Sequence, residues 1–277
     1  MKASNTQLAL TITAALASTS ALADNDTQKL QAQLDALQKE VNSLKTSSGF
    51  NLEFGGRVQL DYNYFEGAYN AGNDGSGGSD FFPRRIRTYV GSEHGNWDHK
   101  LLLEFGEGGA EIVLARVRYA FENGLKIKAG KIREDMSLNA LTSSKHINTI
   151  ERSSLANTFS PFFRWGVSAY QYFKDSGFRY AVGVYKNDAF GATGNDENDR
   201  LTLAITGRAT WSSAAPGDVI HLGAWHSYRD MGGNELGERF ARGEVRETNV
   251  RLVNYATGGK AVALDSLSQS GLEFAFQ

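Results

Sequence analysis

The stretch Asn51-Leu52-Glu53-Phe54-Gly55-Gly56-Arg57-Val58-Gln59-Leu60-Asp61-Tyr62-Asn63-Tyr64 decides how this chain folds. Leu52, Phe54, Gly56, Val58, Leu60, Tyr62 and Tyr64 alternate with Asn51, Glu53, Gly55, Arg57, Gln59, Asp61 and Asn63. Successive side chains of a strand point to opposite faces, so one face here is greasy and the other polar and charged. At about 14 residues the run is more than twice the mean strand of soluble proteins. It exceeds the roughly 9–11 residues that cross a bilayer with tilt.

The segments before it read as export and spacer. Lys2, the apolar run Leu8 to Ala17 and the small-residue site Ala21-Leu22-Ala23 before Asp24 have the layout of a secretory signal, expected over residues 1–23. Residues 24–48 carry Leu30, Leu34, Leu37, Val41 and Leu44 at spacings of 4, 3, 4 and 3, an a/d seam. So short a helix is marginal alone, so the seam predicts a coiled coil that associates, a trimer, or else a helix packed on a barrel floor. Thr46-Ser47-Ser48-Gly49 reads as a linker, leaving 49–277 as the main body.

Composition narrows the class. The chain has no cysteine, 30 glycines, three prolines, 16 Phe, 11 Tyr and 4 Trp. No later stretch reaches 18 apolar residues in a row, as a spanning helix requires. An exported chain of this kind suits an all-β transmembrane antiparallel β-barrel of the outer membrane, with a secreted β domain as the alternative. The period-2 pattern predicts strands at 50–64, 82–91, 97–105, 111–121, 124–131, 164–174, 178–187, 201–211, 219–229, 248–256 and 268–276. Short turns such as Glu122-Asn123-Gly124 alternate with long polar loops at 66–80, 188–200 and 230–247. Bacterial single-chain barrels use even strand numbers. The odd count means either that a strand is miscounted or, the reading we favour, that this is the N-terminal portion of a longer chain.

Strand parity sorts the charge that the net value of −2 hides. Arg57, Arg85, Arg87, Lys100, Arg116, Arg118, Lys126, Lys128, Arg179 and Arg208 fall on the polar face, against Glu53, Asp61, Asp98 and Glu104. A charge facing lipid near mid-bilayer costs roughly 2–4 kcal/mol, so the bases must turn inward. A tube lined by Arg and Lys concentrates anions, and the guanidinium fork matches phosphate oxygens. Arg84 breaks the pattern by sharing parity with Phe82 and Ile86. Either it lies above the hydrocarbon or a bulge near Pro83 re-aims it.

Gly56-Arg57-Val58-Gln59-Leu60-Asp61-Tyr62, Phe82-Pro83-Arg84-Arg85-Ile86-Arg87, Trp97-Asp98-His99-Lys100, Leu141-Thr142-Ser143-Ser144-Lys145-His146-Ile147 and Ile150-Glu151-Arg152, followed by the basic stretch 239–251, occur in that order. As an ordered set they resemble the phosphate- and polyphosphate-selective porins of bacterial outer membranes. The resemblance implies a sixteen-stranded homotrimeric barrel, with C-terminal strands still missing from this sequence. It implies a third loop folded inward to narrow the pore. Arg57, Arg84, Arg85, Arg87 and Lys100 would form the wall side of an anion site, and Ser143, Ser144 and Lys145 the loop side. Arg239, Arg242, Arg246 and Arg251 would form an arginine ladder. Pro83 before the arginine pair, Glu244 and Glu247 within the ladder, and Leu141 depart from the family's pattern.

Residues 132–163 lack alternation, and a segment of that length is unusual in a compact domain and often functional. Its serines and lysine suit anion binding; a loop packed across the rim is the plain alternative. No cofactor or metal site is expected: His221 and His226 are five apart, and neither they nor His94 and His99 have a metal-ligand context. Ser143 or Ser144 with His146 lacks a nucleophile elbow and a third orienting group, so an enzyme is not expected. The basic face lacks the stacking aromatics that nucleic acid needs. The reading is therefore an outer-membrane channel for small anions, phosphate or polyphosphate foremost, in contact with outer-membrane lipid. A general weakly selective porin and a trimeric envelope tether with a barrel anchor are the alternatives.

Overall fold

The computed structural model describes residues 51–70, 76–106, 108–190, 193–213, 218–236 and 262–276, with four positions of an N-terminal unit. That unit is Met1–Phe50, and the second is Asn51–Gln277. In the first, Ala32, Asp35, Ala36 and Lys39 are helical and exposed. Residues 1–23 and the leucine seam lie outside the described residues.

In the second unit, strands follow one another as an antiparallel meander. They are β1 (Asn51–Asn70), β2 (Ser76–His94), β3 (Trp97–Glu104), β4 (Glu111–Ala120), β5 (Lys126–Arg133), β6 (Phe163–Phe173), β7 (Phe178–Lys186), β8 (Leu203–Ser212) and β9 (Ile220–Asp230). β10 (Glu235–Leu236) and β11 (Val262–Ala263) form a separate small pair, and β12 (Ser266–Phe276) returns beside β9. Among the described residues the main sheet thus has ten strands. β9 pairs with β12 directly, from Ser266↔Asp230 to Phe276↔Ile220, so the wall holds no further strand between them. The expected strand 248–256 lies outside the described residues.

The two faces are inverted relative to a soluble sheet. Val58 is 66% exposed and Phe274 71%, whereas the Arg84 and Arg229 side chains are fully buried. Leaving apolar surface in water costs about 25 cal/mol per Å², so an outward greasy wall is stable only against lipid. No helix among the described residues is long and apolar enough to cross a membrane. Short turns close β2–β3, β4–β5 and β6–β7 at one end, and the long excursions 134–162, 187–202 and 231–265 leave from the other. At the short-turn end Trp97, Tyr119 and Phe121 stack edge to face, and Phe173 packs on Phe178. Such a band is the aromatic girdle that marks a membrane interface.

Two expectations are corrected by the register. Residues 66–70 and 76–80 are strand rather than loop, because β1 and β2 pair on to Gly67↔Ser76 and Asn70↔Ser76; 71–75 lie outside the described residues. Their Gly, Asn and Ser side chains are turn-like, but ladder bonds need only backbone. Phe82 does not share the outward face with Ile86. Gln59 pairs with Arg85 and Leu60 with Pro83, leaving Arg84 as the extra residue of a bulge. Phe82 then lies opposite Asp61, and Phe81 and Tyr62 take the outward places, both well exposed. Of the two explanations for Arg84, the bulge is the one observed.

Candidate functional site

The excursion 134–162 lies against the inward face and touches strands across nearly the whole sheet. It holds two short helices, α1 (Leu138–Leu141) and α2 (Ser154–Phe159), capped by the side chains of Ser137 and Ser153. Its root is bolted down. Glu134 is fully buried with Arg229 of β9 and accepts hydrogen bonds from Thr206 and Ser227. Asp135 accepts from Lys128 at 2.8 Å, Ser168 at 2.6 Å and Tyr185 at 3.1 Å. Burial alone would raise the Asp135 pKa, but Lys128, Ser168 and Arg179 outweigh it and hold the carboxyl below its ordinary value.

The middle is organised by two arginines. Arg133 Nη1 donates to the carbonyls of Ala140, Leu141 and Thr142 at 2.7–3.1 Å, and Arg152 Nη2 to that of Thr142 at 2.6 Å. These bonds satisfy the carbonyls that end α1. At the far side Gln269 of β12 donates to the Phe159 carbonyl at 3.1 Å.

The loop tip meets β1 and β2, where the sequence-predicted residues divide into two groups. Arg84 and Arg85 are buried and ion-paired: Arg84 with Asp61 and, at 3.3 Å, with Glu151; Arg85 with Glu151 and, through Nη1, with Gln59 at 3.0 Å. Arg87 pairs with Glu104. Arg57 instead donates to the Ser144 hydroxyl at 2.7 Å and has no acidic partner among the described residues. Lys100 lies 4.1 Å over the Tyr89 ring centre, with Glu53 at 3.7 Å, and exposed Lys145 lies 5.3 Å from the same ring. Ser143 accepts from the Lys145 amide at 3.4 Å. Wall and loop candidates are thus brought together, around Tyr89. Tyr89 sits where it does because Gly55 opposite has no side chain; a Cβ there would lie 2.6 Å from the ring. The ladder candidates Arg239, Arg242, Arg246 and Arg251 lie outside the described residues.

Most other bases of the inward face are also paired. Arg116 and Arg118 share Asp98, and Arg208 is bidentate with Glu273 at 3.0 and 2.6 Å. The acids Glu134, Asp135, Glu151 and Glu273 were not foreseen as partners. A short acidic pair directly after β5, and an acid between Ile150 and Arg152, were the available signals. His221 contacts Ser212 at 2.8 Å and Glu273 at 3.2 Å. Glu273 is thus shared between His221 and Arg208. Around the tip the bases Arg57, Arg84, Arg85, Arg87, Lys100, Lys145 and Arg152 still outnumber Glu53, Asp61, Glu104 and Glu151. Burial lowers the Arg152 pKa, and the positive fields of Arg87 and Arg57 add to it while Glu151 opposes.

The family model described as phosphate-selective porin O and P matches residues 52–277. Porin O of Pseudomonas aeruginosa is 26% identical over 198 residues, covering 67% of this chain and 43% of porin O. The chain therefore spans less than half the length of that relative. A solved structure of OprB from Pseudomonas putida at high pH aligns with a TM-score of 0.46 and 14% identity, over 79% of this chain and 60% of that one. With a matching model over most of its length and a wall of inward charge and outward grease, the chain belongs to the phosphate-selective porin O and P family of bacterial outer-membrane β-barrels.

Proposed function

We propose that this protein is a channel for passive diffusion of small anions, with phosphate or polyphosphate favoured, through a lumen narrowed by the 134–162 loop. The observation that carries the reading is Arg57, a wall guanidinium without an acidic partner among the described residues, reaching the loop hydroxyl of Ser144 beside Lys100 and Lys145. The guanidinium and the two ammonium groups supply donors only, and the Ser144 hydroxyl, which accepts from Arg57, can turn its own proton to an oxyanion. On this reading Arg57, Ser144, Lys100 and Lys145 meet the ion first, and Arg84, Arg85 and Arg87 stand behind them as the wall side of the same anion site. Residues 1–23 act as the signal peptide, 24–48 as a coiled-coil segment that helps form a homotrimer, and the rest as barrel.

Reversal potential and single-channel conductance in planar bilayers test this, with phosphate titrated against chloride. Anion-selective reversal and block of chloride current by phosphate support it. Large conductance without block favours a general porin, a second reading that the many acid-paired arginines recommend.

A further inference from the structure

Glu151 differs from the other acids of the inward face. It belongs to the loop tip, yet its Oε2 is taken by two wall guanidiniums, Arg84 and Arg85. Its Oε1 is held by its own neighbour, with the Arg152 amide at 3.0 Å and Arg152 Nη1 at 3.5 Å. The Thr149 hydroxyl donates to the Glu151 carbonyl at 2.6 Å and steadies the turn. One carboxylate oxygen is thus anchored to the loop while the other fills an arginine fork on the wall.

Resting on the anion-channel reading above, we propose that Glu151 is the channel's own tethered anion, a specificity-determining residue that occupies the Arg84–Arg85 fork in competition with passing oxyanions. A carboxylate and a phosphate present the same pair of acceptor oxygens to a guanidinium, so either can fill the fork. When an incoming oxyanion takes Arg84 and Arg85, Glu151 keeps Arg152, so exchange leaves no bare buried charge. Chloride brings one charge to displace a carboxylate oxygen held by two guanidiniums, whereas phosphate brings up to two charges and further acceptor oxygens. Glu151 therefore sets a threshold that oxyanions cross and halides do not. It also keeps binding weak enough for the ion to leave, as conduction requires.

The test is phosphate block of chloride current in wild type, Glu151→Gln and the double variant Arg85→Gln/Glu151→Gln. Gln keeps the shape of the side chain but removes its charge. Phosphate should block Glu151→Gln at about tenfold lower concentration, the factor of one charge-assisted hydrogen bond. The gain should vanish in the double variant. An unchanged or higher blocking concentration in Glu151→Gln overturns the proposal. So does a gain that survives loss of Arg85, because the effect then does not run through the fork. Should Glu151→Gln fail to assemble, Glu151→Asp decides: drawing the carboxylate back by one methylene should strengthen block in the same direction, and an unchanged value overturns the idea. Absence of phosphate block in wild type would instead strike the anion-site reading itself.

Discussion

The root and the tip of the 134–162 loop are held in opposite ways. At the root, Glu134 and Asp135 are buried and bonded to five strands, β5 to β9, through Lys128, Ser168, Tyr185, Thr206, Ser227 and Arg229. At the tip a single acid, Glu151, is bound to one strand, β2, through Arg84 and Arg85, while Ser144 accepts one hydrogen bond from Arg57 and Lys145 only leans on Tyr89. Removing one partner of a buried ion pair strands a charge in low dielectric, whereas an exposed cation beside a ring loses little on truncation. The root is built to stay, and the tip to exchange partners with what passes.

Breaking the root should have the largest effect. Glu134→Ala leaves Arg229 buried without its carboxylate, which costs about 3–5 kcal/mol. Urea unfolding should lose that much, or the loop should detach and single-channel conductance rise. A variant with wild-type stability and conductance would mean the root is not the anchor. Arg57→Ala comes next. It should weaken phosphate block about tenfold, a loss of about 1.4 kcal/mol, with unfolding little changed. A large loss of stability with intact block would move Arg57 from the ion path to the scaffold.

Acid should loosen the tip. Burial raises the Glu151 pKa, but the Arg152 amide and Arg85 outweigh it, so the folded carboxyl titrates below its ordinary 4.5. A depressed folded pKa means the contribution is complete above pH 4.5 and fades as pH falls through the lower folded value. Current noise from loop motion should grow on the acid side of that point and stay flat toward alkaline pH. The smallest effect belongs to Lys145→Ala, about a two- to threefold weaker block, in line with about 0.5–1 kcal/mol for an exposed cation on a ring. An effect equal to that of Arg57→Ala would erase the distinction between a held and a leaning contact.

The wall was legible because its rule is local. A period of 2 assigns each side chain to lipid or lumen, and β3 to β9 and β12 fall within a few residues of expectation. Where the rule lapses, so did the reading. Residues 66–80 look like a loop because their composition favours turns, yet 66–70 and 76–80 are strand and paired. The bulge at Arg84 was visible as a parity conflict beside Pro83, without its direction. Arg57, Lys100, Ser144 and Lys145 were named, but nothing local tells that Glu151 would neutralise Arg84 and Arg85. Ion pairs between a loop and strands 66 or 95 residues away depend on how the chain returns, which periodicity does not encode.

The hairpin of β1 and β2 carries one more consequence. Its strands have 20 and 19 residues, against 8 in β3 and 11 in β6. At about 3.3 Å per residue and a tilt of about 45°, 20 residues climb roughly 45 Å, well beyond an apolar band about 25 Å tall. The same continuous ladder therefore starts in oil and ends in water. Amide protons deep in it are shielded by lipid, and those near Gly67 and Ser76 open to solvent. Deuterium uptake read residue by residue along this one hairpin would be a built-in depth gauge, marking the bilayer's outer boundary as a step.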